Sequence, residues 1–154
     1  VCSSDLWMSA LYFQAARRLY DKHGDTLVLE QASNYFDWLD VNGFYDGSLA
    51  HPNMAGIVIP RYLTGELIGD AGYDEGNADH ALDVAGFVRF ARRAKLVLNL
   101  PTNRVDARLA ELANTTEWSF DNWTRTTTYL PKYRLSPPRK FNWWVRGALE
   151  LIEN

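Results

Sequence analysis

The stretch that decides the fold runs from residue 79 to residue 95 and reads DHALDVAGFVRFARRAK. Its apolar residues recur at helical spacing and mark one face, which carries His80, Val84, Phe87, Val88, Ala91 and Ala94. Arginines and a lysine fill the C-terminal half, where cations interact favourably with the helix dipole. The pattern predicts an amphipathic helix with Asp79 as its N-cap.

Two further stripes precede this helix. The first lies in residues 7–22 and has Arg17 and other charged residues on its opposite face; its apolar positions are 7, 8, 11, 12, 15, 19 and 20. The second consists of Val28, Ala32, Tyr35, Phe36 and Leu39. Gly24 suits a helix C-cap, and Asp25 or Thr26 can begin the next helix. Two helices joined by so short a turn form an antiparallel hairpin.

A fourth stripe follows Pro101, with Asn103 and Asp106 spaced as a cap pair. It consists of Val105, Leu109, Leu112, Thr116, Phe120 and Trp123. Residues 124–140 are rich in Thr and Pro and predict a loop, and residues 141–152 predict a last amphipathic piece. The sequence therefore predicts an all-α chain of antiparallel helix hairpins, forming one partial helical domain over residues 7–154.

The connection between residues 43 and 78 differs from the rest, because nine glycines and prolines interrupt it. Within it, residues 57–59 and 61–68 fit either a short strand or one or two helical turns. His51-Pro52-Asn53 is typical of a turn. A long irregular connection is either a functional loop or a surface excursion, and the pattern leaves both readings open.

The first six residues, VCSSDL, read like the translated end of a sequencing adapter. We therefore expect residues 1–6 to be a non-native tail. Cys2, the only cysteine, would then not be native, so disulfide, zinc-thiolate and cysteine-nucleophile functions would lose their residue. We also expect the N-terminal part of the domain to be missing from this chain.

Composition excludes some function classes. The formal net charge is −3, which does not favour binding to nucleic acid or an anionic membrane surface. No apolar run approaches the roughly 20 residues of a membrane-spanning helix. There is no glycine-rich phosphate loop or dinucleotide fingerprint, and the three histidines are too scattered to suggest a metal site. The sequence thus predicts no cofactor and no metal.

Ionisable groups concentrate in residues 73–83, where a loop meets the predicted helix. His80 and Tyr73 are a reasonable base and acid for moving a proton to a leaving oxygen, and Asp83 lies one turn after His80, where it could orient the imidazole. Asp74 and Glu75 are alternatives if paired carboxylates do the chemistry. A competing structural reading gives Asn77 and Asp79 to helix capping and His80 to a hydrogen-bonded core position.

Residues 75–91, with Asp79-His80 at the start of a helix, and residues 108–115, which read RLAELANT, resemble a pattern in bacterial (α/α)-toroid proteins. These include polysaccharide lyases, unsaturated-uronide hydrolases and sugar epimerases. The match covers about a third of the chain and departs from the pattern between residues 43 and 72.

The resemblance implies a fragment of a ring of helix hairpins around a central funnel. It implies that His80 is the base and Tyr73 the acid, with Asn77 and Asp79 positioning them. It also implies that a poly- or oligosaccharide lies over aromatic rings such as those of Trp118 and Trp123. For all tryptophans, core packing is the competing reading.

Three functions remain open from the sequence. The first is a carbohydrate-active enzyme fragment, either a lyase or a glycoside hydrolase. The second is a non-catalytic helical binding or scaffold domain, which predicts a buried His80 and no cleft. The third is a viral or mobile-element protein without a small-molecule site.

Overall fold

The computed structural model describes residues 4–61, 63–64, 73 and 75–124. These residues form four α-helices: α1 (Leu6–His23), α2 (Leu27–Asn42), α3 (Ala81–Val97) and α4 (Asn103–Thr124). They also form four short strands: β1 (Ser4–Asp5), β2 (Phe44–Asp46), β3 (Val58–Pro60) and β4 (Leu63–Thr64). The helices confirm the all-α class. The predicted amphipathic piece at 141–152 lies outside the described residues, as does nearly all of the predicted loop at 124–140.

The turn between α1 and α2 follows the prediction. Gly24 has a φ of +70°, which a residue without Cβ adopts at no steric cost, and its N–H donates to Tyr20 O at 2.7 Å. The carboxylate of Asp25 then accepts from Leu27 N at 3.0 Å, which satisfies one of the first N–H groups of α2. The two helices form the expected hairpin.

Helix α3 is the centre of the core, because α1, α2 and α4 all pack against it. The apolar positions predicted for its face are buried, namely Val84, Phe87, Val88, Ala91 and Ala94. On α2 the predicted stripe is likewise inside, with Val28, Ala32, Phe36 and Leu39 buried and Tyr35 partly buried. These two helices bury the faces that their sequences predict.

The predicted starts of α3 and α4 need correction. A 3-10 helix, Glu75–His80, runs into α3, so Asp79 lies inside that turn and His80 occupies the N-cap position. For α4, which begins at Asn103, the capping contact comes from Thr102, whose hydroxyl donates to Asp106 Oδ2 at 3.0 Å. Each correction is a shift of one residue, within the usual uncertainty of a helix end.

The predicted faces of α1 and α4 are wrong in part. On α1, Met8, Tyr12 and Leu19 are exposed, whereas Arg17, expected on the solvent side, is 4% exposed. On α4, Phe120 is 46% exposed, and the buried positions are Val105, Arg108, Leu112, Thr115 and Ser119. Both helices carry apolar residues on more than one face, so spacing alone does not select the face that packs on α3.

A small layer of strands and turns covers one end of the helices. Strands β2 and β3 pair antiparallel with Tyr45 opposite Ile59, so residues 58–59 form a strand, one of the two predicted alternatives. Strand β1, in the expected non-native tail, pairs with β4. A second core cluster lies beneath β2 and β3 and consists of Tyr45, Met54, Ile59 and Ala78, with Ala50, Ile57 and Trp118 packed against it.

Polar contacts lock α4 in place. The guanidinium of Arg108 donates to Asp40 Oδ1 at 2.8 Å and lies 4.1 Å from the centre of the Phe44 ring. The hydroxyl of Thr115 donates to Val58 O at 2.6 Å, which ties α4 to β3. Because of these contacts, the polar residues Arg108 and Thr115 of α4 face the interior. Among the described residues, no helix combines the length and apolar character needed to cross a bilayer.

Candidate functional site

The predicted polar cluster lies where the 3-10 helix Glu75–His80 packs between β3 and α4 and then enters α3. A 3-10 helix has three residues per turn, so Asn77 and His80 lie on the same side of it. The carboxylate of Asp83 is one turn further along, on α3. Asn77, Asp79 and Asp83 are all buried. The cluster is therefore held rigidly by backbone structure on both sides.

His80 and Asp83 are close neighbours. The distance from His80 Nδ1 to Asp83 Oδ2 is 3.8 Å, and the two side chains are 13% and 1% exposed. This separation is longer than a hydrogen bond but within the range of an ion pair, which forms once the imidazole takes up a proton. Asp83 is thus placed to stabilise a protonated His80 and to hold its ring in one orientation.

Tyr73 and Asn77 meet through a residue to which the sequence assigned no role. Asn77 Nδ2 donates to the hydroxyl of Tyr45 at 3.4 Å, and the centres of the Tyr45 and Tyr73 rings are 5.0 Å apart. Tyr45 is buried, whereas Tyr73 is 47% exposed. The two phenol rings therefore lie in a row between the buried amide of Asn77 and the protein surface.

Arg61 completes this group. Its guanidinium carbon lies 5.5 Å from the centres of both the Tyr45 and Tyr73 rings, within cation–π range. The strand register explains the position: Tyr45 pairs with Ile59, so Arg61, two residues further, lies diagonally across from Tyr45. Arg61 N also donates to Gly43 O at 2.8 Å, and a residue without a side chain therefore stands directly opposite Arg61.

Sequence reasoning missed Arg61 and Tyr45 as site residues. Sixteen positions separate them, and only the β2–β3 pairing brings them together. The usable signal was the run Ile57-Val58-Ile59, because reading it as a strand that pairs back on residues 44–46 would have placed Arg61 beside Tyr45. We define the aromatic–arginine cluster as Tyr45, Arg61, Tyr73 and Asn77.

The remaining predicted site residues differ in their burial and surroundings. Trp118 is partly buried and packs against the core cluster under Tyr45, close to Ala78 of the 3-10 helix. Asp79 is buried inside that helix. Asp74 and the side chains of Glu75 and Trp123 lie outside the described residues. The structure thus links Tyr73 to Asn77 through Tyr45, and it places His80 beside Asp83.

A cavity of about 830 Å³ lies elsewhere, between α3 and α4, and none of the predicted site residues lines it. Its size does not make it the better candidate, since its wall is mostly apolar and, among the described residues, holds a single carboxylate, that of Glu117, and no histidine or tyrosine. In the described part of the chain, no group of three or more His, Cys, Asp or Glu side chains is placed to hold a metal ion.

The chain matches no protein-family model, no curated protein and no solved structure. The chemistry of the site must therefore be judged from its own groups. A cation beside two phenol rings suits an anionic, hydroxyl-rich ligand, and an imidazole–carboxylate pair can accept a proton.

Proposed function

We propose that this chain is part of a carbohydrate-active enzyme that acts on acidic sugars. The observation that carries the proposal is the aromatic–arginine cluster, two of whose members, Tyr73 and Asn77, lie within seven residues of His80, the neighbour of Asp83, along the chain. Tyrosine rings stack on sugar rings, and an arginine fork recognises a carboxylate. The cluster therefore has the groups that bind a uronate residue.

The proposed reaction is β-elimination. Arg61 pairs with the sugar carboxylate and makes the adjacent carbon more acidic. Neutral His80 removes the proton from that carbon, and Asp83 stabilises the imidazolium that results. The electron pair forms a carbon–carbon double bond, the glycosidic carbon–oxygen bond breaks, and the hydroxyl of Tyr73 protonates the leaving oxygen. Solvent then carries the proton from His80 back to Tyr73.

Glycoside hydrolysis is the variant reaction within the same proposal. It would use paired carboxylates, with Glu75 as one member, and would need no proton on the carbon next to the carboxylate. Elimination is favoured because Arg61 supplies the carboxylate partner that a lyase requires.

We also propose that the hairpins belong to an (α/α) toroid. The support is the resemblance of residues 75–91 and 108–115 to such proteins, together with the exposed Met8, Tyr12 and Leu19 on α1. Apolar side chains of this size on one helix face are typical of a surface that packs on a neighbouring helix.

A second candidate is a non-catalytic binding or scaffold domain. The observation in its favour is the burial of the His80–Asp83 pair, since a structural histidine is expected to be enclosed and held by a carboxylate. In that case the aromatic–arginine cluster would bind an acidic ligand without turning it over.

The test is an assay of this chain on a panel of uronate-containing polysaccharides, following the ultraviolet absorbance of new unsaturated ends and, separately, new reducing ends. His80→Ala should lower kcat by about 10²- to 10⁴-fold, the usual contribution of a general base. His23→Ala is the matched control, because His23 is exposed at the end of α1.

Arg61→Ala tests the proposed partner of the sugar carboxylate. It should raise KM for acidic sugars, and Arg61→Lys should recover only part of the loss because lysine lacks the planar fork. If folded His80→Ala keeps full activity, the base assignment is wrong. A parent that binds acidic sugars without turnover would instead support the binding domain.

A further inference from the structure

The cavity between α3 and α4 is an open groove whose apolar lining includes Leu82, Leu96, Leu109, Ala113 and Phe120. Leu96 and Phe120 are more than 40% exposed, so the groove presents large apolar side chains to solvent. Apolar side chains of this size that line one surface feature mark a place where another molecule packs. The groove is therefore a candidate interface.

The charged residues that line the groove differ in their partners. Arg92 and Arg93 already pair with carboxylates of α4 and α1. Arg89 and Glu117 also line the groove, and both are exposed. In the part of the chain that the structure describes, no ion pair or hydrogen bond engages the side chain of Arg89 or Glu117. The groove thus offers one cation and one anion that can each pair with an opposite charge on an occupant.

The two available charges lie at different levels along the groove. The short connection between α3 and α4 makes these helices antiparallel, and the ion pair of Arg92 with Asp106 sets their relative level. Arg89 lies three residues before Arg92, so it is level with Leu109, three residues after Asp106. Leu109 precedes Glu117 by eight residues, which is about 12 Å along α4 at 1.5 Å per residue. The cation and the anion are therefore about two helical turns apart.

We propose that the occupant is a second copy of this chain, which packs its own α3–α4 groove on this one about a two-fold axis. The axis lies in the interface and crosses the helices at Ala113, midway between the two charges. It places Arg89 of each copy beside Glu117 of the other, which forms two equivalent ion pairs. A two-fold axis along the helices would instead place each Arg89 near Leu109. The crossing axis thus gives the self-complementary surface that an isologous interface requires.

The apolar residues of the groove fit the same axis. Ala113, at the axis, has a small and exposed side chain, so the two α4 helices can approach each other closely there. Phe120 lies seven residues beyond Ala113, and the axis places its ring on the other copy between the levels of Leu109 and Leu96. Each copy therefore covers the apolar side chains that the other exposes, as expected for the core of an interface.

Charge reversal in the full chain tests the proposal, under reducing conditions so that Cys2 does not link two molecules. Arg89→Glu and Glu117→Arg each replace two attractive contacts of the dimer by two repulsive ones. We expect either change to raise the dimer dissociation constant, measured by sedimentation equilibrium, at least about tenfold, because like charges side by side weaken an interface. Lys22→Glu and Glu30→Arg are the matched controls, since they make the same charge changes at exposed positions outside the groove.

Mixing the two variants tests the pairing itself. An Arg89→Glu chain has two acidic groups at the interface and a Glu117→Arg chain has two basic ones, so the mixture should form heterodimers although neither variant dimerises well alone. Circular dichroism establishes that each variant folds. A parent chain that stays monomeric up to millimolar concentration would overturn the proposal. So would a parent dimer that both reversals leave intact, or a mixture of the two folded variants that stays monomeric.

Discussion

Helices α3 and α4 lie side by side, and each carries apolar residues at helical spacing, yet only α3 buries the face that its sequence predicts. The difference lies in their neighbours. Helix α3 is packed by α1, α2 and α4, so nearly every apolar position on it finds a partner. Among the described residues, α4 is buried along the side that carries Val105 and Leu112, whereas Phe120 is 46% exposed. The comparison teaches that apolar spacing identifies a helix but does not orient it.

Polar contacts orient α4 instead. Arg108 and Thr115 are buried, and their hydrogen bonds reach Asp40 on α2 and Val58 on β3. A helix rotated to bury Phe120 would lose these bonds and would separate Arg108 from the partly buried carboxylate of Asp40. Leaving a buried charge without its partner costs more than leaving an apolar ring partly exposed.

The largest effect should come from truncating matched phenylalanines on the two helices. Phe90 on α3 is 1% exposed and Phe120 on α4 is 46% exposed. We expect Phe90→Ala to lower the free energy of unfolding by about 3–5 kcal/mol, the usual cost of a large core cavity. Phe120→Ala should cost about 1–2 kcal/mol, since much of its ring already contacts solvent.

Urea denaturation of both variants measures the difference. A loss on Phe120→Ala as large as that on Phe90→Ala would break the comparison, because it would mean that α4 is buried on its outer side as completely as α3.

The next effect concerns the contact that orients α4. Asp40→Ala removes one of two carboxylates that pair with the buried guanidinium of Arg108, the other being that of Glu111, and it also removes the partner of the exposed Arg104. We expect a loss of up to about 3 kcal/mol. Asp21→Ala is the control: it breaks the pair with Arg93, in which both side chains are about 40% exposed, and should cost less than about 1 kcal/mol.

A second substitution sharpens this test. Arg108→Met in the Asp40→Ala background removes the guanidinium that has lost its partner on α2 and keeps apolar bulk over Phe44, so it should recover part of the lost stability. If the double variant is no more stable than Asp40→Ala, the charge is not the reason for the loss.

The sequence predicts the helices well for a physical reason. Short-range signals such as the apolar spacing of residues 81–97 and the glycine at position 24 act within one or two turns. The orientation of α4 depends on Arg108 meeting Asp40, 68 residues away, and no local pattern encodes that distance. Arg17 is buried on α1 for the same kind of reason, since tertiary packing overrides its preference for solvent.

The candidate site also combines one contact that local spacing predicts with another that depends on distant residues. His80 and Asp83 were predictable as neighbours because they lie three residues apart at a helix start. Arg61 was not, because its place beside Tyr45 and Tyr73 depends on strand register across a long glycine-containing connection. Register follows from pairing between distant segments, which spacing within either segment does not reveal.

Gly43 links the helical core to the aromatic–arginine cluster, and substituting it should have an intermediate effect. A Cβ added there would lie 2.1 Å from Leu39 Cδ1, inside the core. We expect Gly43→Ala to cost about 1–3 kcal/mol through overpacking. Because Gly43 is directly opposite Arg61, the same change should also weaken the proposed binding of acidic sugars.

The control is Gly24→Ala. No atom lies within 4 Å of a Cβ there, so its cost comes only from the positive φ and should be about 1 kcal/mol. Thermal unfolding compares the two variants. A Gly43→Ala protein as stable as the parent would show that Leu39 moves aside freely and that the junction is loosely packed.

The smallest effect should come from the exposed contact between α3 and α4, and it should depend on pH. The hydrogen bond from Arg92, with a second from Thr102, lowers the pKa of Asp106 below its ordinary value. A carboxyl group whose pKa is lower in the folded protein stabilises the fold above its unfolded pKa of about 4, and this contribution is lost as the pH falls through the folded value.

The melting temperature of Asp106→Asn should therefore lie below that of the parent at neutral pH, and the gap should close as the pH is lowered beneath about 4. A double-mutant cycle with Arg92→Gln isolates the pair, and its coupling should also shrink in high salt because both side chains are more than 40% exposed. A gap that stays constant down to strongly acidic pH would mean that Asp106 acts through packing rather than charge. The outer side of α4 would then be held by the same kind of contact as the inner side of α3.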